Sequence, residues 1–168
     1  MISTFLVQYP WITTVALVTV VVIGPLLGSW LVDRRPLNRW LAGIVAVAVL
    51  VITLYPESRT PAPGCQVSWM LPTLGAVELI ANIILFVVPV LLVGVATRHP
   101  LAAFAAGTLA SVLIEVVQAA VPALGRSCDT GDWLQNTIGA LIGALLAALA
   151  LRLSRKRPTR RSPSSGSR

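Results

Sequence analysis

The chain has 168 residues, of which 56% are hydrophobic and only 11% charged, with a mean hydropathy of +0.84. A soluble globular domain carries about a quarter charged residues, so this composition excludes one and describes an integral membrane protein built as a single helical unit. The net charge of +7 does not describe a nucleic-acid binder: seven of the 13 basic residues fall between Arg152 and Arg168, in a Ser/Pro-rich tail after an apolar segment, where they predict a disordered cytoplasmic tail facing anionic lipid.

Residues 11–31, 37–55, 77–97, 101–121 and 133–153 form five apolar runs of about 20 residues, the length that crosses a hydrocarbon core about 30 Å thick. Inside lipid every backbone N–H must find its acceptor within its own segment, so each run predicts a helix. The fold class is therefore all-α, a polytopic membrane bundle over residues 1–153 with a basic tail over 154–168. The first run does not read as a cleaved signal peptide. It lacks a basic n-region, it is too long, and Asp33-Arg34-Arg35 follows it as a stop-transfer signal would.

The basic residues predict the orientation. With the tail in the cytoplasm, Arg34, Arg35, Arg39, Arg98 and the seven tail residues lie inside, and only Arg59 and Arg126 lie outside. That distribution follows the positive-inside rule and puts the N-terminus outside. Trp11, Trp30, Trp40, Trp69 and Trp133 then fall at or near the interfaces, where an indole is half wet and half buried.

The outer loops, residues 56–76 and 122–132, carry the two cysteines, Cys65 and Cys128. Both lie on the oxidising side of this topology, which admits a disulfide as well as two free thiols.

Polar residues interrupt the later runs. Glu78 and Asn82 are spaced i, i+4 and share one face in the first outer turns of the third helix. Ser111, Glu115 and Gln118 follow i, i+4, i+7 on one stripe of the fourth. Counting back from Pro122 puts Glu115 about 10 Å below the helix end at 1.5 Å per residue. Asp132 is expected at or near the N-cap of the fifth helix, with Asn136 one turn deeper and Arg126 and Asp129 in the loop above. Three helices thus deliver polar stripes to one depth of the outer leaflet. An ionisable group at the bilayer centre costs roughly 2.5–3.5 kcal/mol on insertion scales, so such groups mark a candidate site. The fifth helix also carries Gly139, Gly143 and Ala147 in a small-xxx-small pattern, which lets a neighbouring backbone approach closely and turns Asn136 toward that neighbour. Pro89 is expected to kink the third helix.

Three blocks in this order resemble the VanZ-like family. The run Glu78-Leu-Ile-Ala-Asn82-Ile-Ile-Leu-Phe86-Val-Val-Pro89 is similar to its Asn…Phe…Pro helix. Ser111-Val-Leu-Ile-Glu115-Val-Val-Gln118 is similar to its Ser…Glu…Gln stretch, and Arg126…Asp129…Asp132-Trp-Leu-Gln-Asn136-Thr-Ile-Gly139-Ala-Leu-Ile-Gly143 to its Arg…Asp…Asp…Asn-Thr-Gly…Gly ending. The resemblance spans residues 78–149, and the first two helices match only in hydrophobicity. One departure is that Pro89 is followed by Val90-Leu91 where the family continues Pro-Leu-Gly. The resemblance implies a protein of the bacterial cytoplasmic membrane connected to the envelope. The family's named member is associated with low-level resistance to teicoplanin, a lipid-bearing glycopeptide. No reaction is implied.

Three readings of the site stand side by side. In an enzyme acting on a lipid-linked substrate, Glu115 is the acid or base, Asp132 its charged partner and Arg126 an anion clamp. Glu78, Asn82, Gln118, Asp129 and Asn136 then bind and orient the substrate, and Ser111 is a weak nucleophile candidate. In a binding module, the same groove holds a lipid headgroup, a lipid-linked cell-wall precursor or the acyl tail of a lipoglycopeptide. In a scaffold, the polar groups only fix helix packing. The sequence leaves the cofactor open. A hydrated divalent cation shared by the carboxylates is admissible, but zinc is not expected, because the sole histidine, His99, lies at the opposite face. A transporter is disfavoured because no polar path continues to the inner half and no inverted repeat is visible.

Overall fold

The computed structural model of the chain describes residues 8–57, 64–69 and 76–156. Within them lie five long helices: α1 (Trp11–Leu31), α2 (Arg35–Leu54), α3 (Val77–Thr97), α4 (Pro100–Ala120) and α5 (Thr130–Arg155). Each is long and apolar enough to cross a membrane. No strand forms among the described residues. A single parallel bridge pairs Gln66 with Asp129. Arg59 and the expected tail from residue 157 onward lie outside the described residues, while Ser154 and Arg155 continue α5.

Local chemistry sets the helix boundaries. Pro36 occupies the first turn of α2 and Pro100 that of α4, positions where the missing N–H has no helical acceptor to lose. Only Arg98 and His99 separate α3 from α4, and Arg98 turns the chain in the left-handed region at φ 62°. The fifth helix begins three residues earlier than its apolar run. Its N-cap is Asp129, whose Oδ1 accepts the Gly131 N–H at 2.7 Å. Asp132 is therefore not the cap but the third helical residue. Helix α3 continues without a break through Pro89.

Helix α3 is the central element and packs against the other four. Ile83, Phe86, Val87, Val90, Leu91 and Val95 are all buried, and no residue from 79 to 96 is exposed on any face. A helix apolar on every side belongs in the interior. Helices α1, α2 and α4 instead keep large apolar residues exposed, Val22, Ile44 and Leu113 among them, as a lipid-facing surface requires. The α3–α5 contact is the closest. A Cβ on Gly139 would fall on the Ile83 carbonyl, and one on Gly143 would stand 2.5 Å from the Val87 carbonyl oxygen. The small-xxx-small stripe thus has α3 as its neighbour, and Ala147 meets Gly94 further along.

The α1 start, the α2–α3 connection and the α4–α5 connection share one end of the bundle, and the α1–α2 and α3–α4 turns share the other. At the first end Cys65 and Cys128 form a disulfide, with Cα atoms 4.6 Å apart across a sequence separation of 63. This disulfide end is where the polar stripes converge; the opposite, basic end carries Arg34, Arg35, Arg39 and Arg98.

Candidate functional site

The connection before α5 does not hang above the bundle. After a 3₁₀ turn, Pro122–Leu124, it reverses at Gly125 (φ 62°) and runs back down, so that the Asp129 N–H donates to Glu115 Oε2 at 2.8 Å. Asp129 therefore lies level with Glu115. The strap 64–69 holds this segment from the other side. The Gln66 N–H donates to the Cys128 carbonyl at 2.8 Å, the Thr130 N–H to the Gln66 carbonyl at 3.0 Å, and Ser68 Oγ to Asp129 Oδ1 at 2.6 Å. Gly131 leaves no room for a side chain, since a Cβ there would strike Ser68 Oγ.

The α4 stripe faces inward. Ser111, Glu115 and Gln118 are all buried on one side of α4. Each takes a different partner. Asn136 Nδ2 donates to Ser111 Oγ at 3.0 Å, and Gln118 Nε2 donates to the Thr53 carbonyl of α2 at 2.9 Å. Asn82 Nδ2 donates to Asp132 Oδ1 at 2.7 Å, tying α3 to α5. Asn136 is buried, but its amide turns to α4 rather than to α3, the helix that the glycines meet. Glu78 is exposed in the first turn of α3, within electrostatic range of Asp132.

Arg126 is held apart from this convergence. Its Nε donates to the Tyr55 carbonyl at 3.1 Å, and its guanidinium pairs with Glu57 Oε1 at 2.9 Å, clamping the α4–α5 connection to the end of α2. It still lies within electrostatic range of Asp132. Asp129 and Asp132 both act electrostatically on Glu115. Four carboxylates thus gather near one cation that is already paired. Among the described residues no three groups of His, Cys, Asp or Glu are arranged to hold a metal ion.

Glu115 opens onto a cavity of about 500 Å³ between α4 and the start of α5. Its walls include Val112, Val116 and Ala119 from α4, Trp133 from α5 and the disulfide, so it is apolar apart from the carboxylate edge. Glu115 Oε1 makes no hydrogen bond among the described residues. Trp133 has a buried Nε1–H without a partner there, and its ring packs edge-on against Trp69 with centroids 6.3 Å apart. Ser111 is fully buried and does not line this cavity, so it is unsuited to nucleophilic attack on a bound molecule.

Sequence reasoning passed over Glu57, Ser68 and Gln135. Glu57 and Ser68 sit in irregular connections, where no periodicity reveals a partner. Gln135 is wholly buried, and a signal existed: it stands four residues before Gly139, on the stripe continued by Gly143 and Ala147.

These features define a multi-pass helical membrane protein whose helices join a carboxylate cluster to an apolar cavity at one end. The VanZ/LLP1 family model matches residues 42–151, and the chain belongs to that family. The match extends the resemblance of residues 78–149 back into α2, whose sequence is apolar without a motif. Comparison with curated proteins and with solved structures gave no significant match.

Proposed function

We propose that this VanZ/LLP1-family protein binds an amphiphile from the outer leaflet, seating an apolar tail in the α4–α5 cavity and a hydrogen-bond-donating or cationic head at Glu115. One observation carries the reading. Glu115 is 7% exposed, on the wall of an apolar cavity, with Oε2 committed to the Asp129 N–H and Oε1 left without a partner among the described residues. A carboxylate is an acceptor, so it selects a donor. The surrounding Asp129 and Asp132 disfavour an anionic head. Pockets of this kind, mostly apolar with a few placed polar groups, are the usual form of a small-molecule site. The interhelical bonds of Asn82, Gln118 and Asn136 favour a scaffold role for those three residues.

The outward orientation rests on the excess of basic residues at the other end and on a disulfide, which persists in oxidising compartments. In a cell, capture of an amphiphile at the outer leaflet lowers the effective concentration of a lipid-bearing glycopeptide such as teicoplanin. The test is teicoplanin and vancomycin susceptibility of a Gram-positive host lacking its own homologues and expressing wild type, Glu115→Gln or Asp132→Asn at matched membrane levels. The reading expects teicoplanin tolerance from wild type alone. No tolerance from a well-expressed wild type would sink the glycopeptide role, and equal tolerance from all three chains would remove Glu115 and Asp132 from it.

A further inference from the structure

A second site lies at the basic end, remote from the carboxylates. A cleft of about 310 Å³ separates the start of α2 from the end of α3, lined by Arg35, Arg39, Ala96, Thr97 and Arg98. The three arginines come from two elements, and their guanidinium groups make no ion pair or hydrogen bond among the described residues. Asp33, the acid nearest in sequence, pairs with none of them. Arg34 is engaged elsewhere, with its guanidinium 3.7 Å from the centroid of Trp30. Arg98 holds the left-handed backbone position that glycine takes with least strain, so a charged side chain stands over the cleft where the turn itself asks for none. Guanidinium groups bind phosphate oxygens in paired, charge-assisted hydrogen bonds.

Deeper along the α2–α3 seam lies a separate apolar cavity of about 220 Å³, shared with α4, whose walls include Leu50, Phe86, Pro89, Val93, Ala106 and Ile114, with Ala42 buried on the α2 stripe between it and the cleft. The register links the two. On α2, Arg35 and Arg39 share a helical stripe with Ala46 and Leu50, and on α3, Thr97 shares one with Val93, Val90 and Phe86. Ala46 lies about 10 Å along the helix axis from Arg39 at 1.5 Å per residue. Trp40, beside Arg39, is exposed, as an interfacial indole is. A cation cluster at the helix ends with an apolar slot beneath it has the layout of a phospholipid, headgroup above and chain below.

We propose that this seam binds an anionic glycerophospholipid, its phosphate held by Arg35, Arg39 and Arg98 and one acyl chain lying in the α2–α3–α4 cavity. The site is independent of the Glu115 cavity. A diffuse basic surface would bind anionic lipid without regard to which cations supply the charge, and this distinction sets the test. Full-length protein in neutral detergent is titrated with phosphatidylglycerol, phosphatidylcholine or inorganic phosphate, and bound lipid is counted by native mass spectrometry. Arg35→Gln/Arg39→Gln/Arg98→Gln is compared with Arg152→Gln/Arg155→Gln/Lys156→Gln, which removes the same charge from the exposed end of α5. Arg98→Gly keeps the left-handed turn and guards against misfolding of the triple variant. Ala106→Phe fills the apolar slot.

Phosphatidylglycerol is expected to bind wild type at least tenfold more tightly than phosphatidylcholine. The cleft triple variant should lose that tenfold, Arg98→Gly and Ala106→Phe about threefold each, and the α5 triple variant less than twofold. Equal losses from the two triple variants would overturn the site in favour of diffuse attraction. Unchanged binding by Ala106→Phe would overturn the seated chain, and competition by millimolar inorganic phosphate would show a soluble anion in place of a lipid.

Discussion

Glu115 both anchors the α5 cap and faces the cavity, and two substitutions separate these roles. In Glu115→Gln the amide oxygen still accepts the Asp129 N–H, so thermal unfolding in detergent should match wild type while the tolerance phenotype is lost. Glu115→Ala strands that N–H in a part-buried position. A buried group left unsatisfied costs about 1–3 kcal/mol, and the melting temperature should fall accordingly. Asn136→Ala removes one interhelical bond, to Ser111. Such bonds average only about 0.6 kcal/mol in membrane proteins, so its loss should be small and should leave phenotype intact. Which residues face inward was legible in the sequence, because i, i+4, i+7 spacing on α4 fixes a face whatever the neighbours are. Their partners were not. Arg126 pairs with Glu57 across 69 positions, and the Asp129 N–H reaches Glu115 because a connecting segment folds back, which no periodicity records.

At the scale of elements, the seam between α3 and α5 organises the bundle, since lipid offers apolar surface as readily as another helix does and close packing must supply the association. Gly139→Ala puts a methyl group onto the Ile83 carbonyl, where the obstacle is backbone and cannot rotate away. Overpacking of this kind typically costs about 1–3 kcal/mol, to be read as a lowered unfolding midpoint in detergent. Gly43→Ala is the matched control. A Cβ there meets nothing within 4 Å, and replacing glycine by alanine inside a helix stabilises by up to about 1 kcal/mol. The five helices were legible because length and hydropathy suffice to find a membrane span. The glycine stripe was legible as a contact face, but which helix it meets depends on how all five pack. The start of α5 was misplaced by three residues because hydropathy marks the apolar run, whereas Asp129 caps a polar turn ahead of it.

For the whole molecule, the disulfide and the distribution of arginines give one testable orientation. The disulfide closes a loop of sequence separation 63 between the α2–α3 and α4–α5 connections, and in the chain-entropy model such a closure stabilises by about 4 kcal/mol. Reduction should therefore lower the unfolding midpoint of the purified protein, and the Cys65→Ser/Cys128→Ser variant should reproduce the reduced state. The same bond reports sidedness. With the disulfide end outside and the basic end in the cytoplasm, a membrane-impermeant reductant added to intact cells opens the bond, and an impermeant maleimide then labels the exposed Cys65. A cysteine introduced in place of exposed Arg98, assayed in the Cys65→Ser/Cys128→Ser background, should be labelled only after lysis. The reversed pattern would place the Glu115 cavity in the inner leaflet. An extracellular amphiphile would then no longer be its ligand, although the carboxylate and the apolar wall would still select a donor-bearing lipid from within.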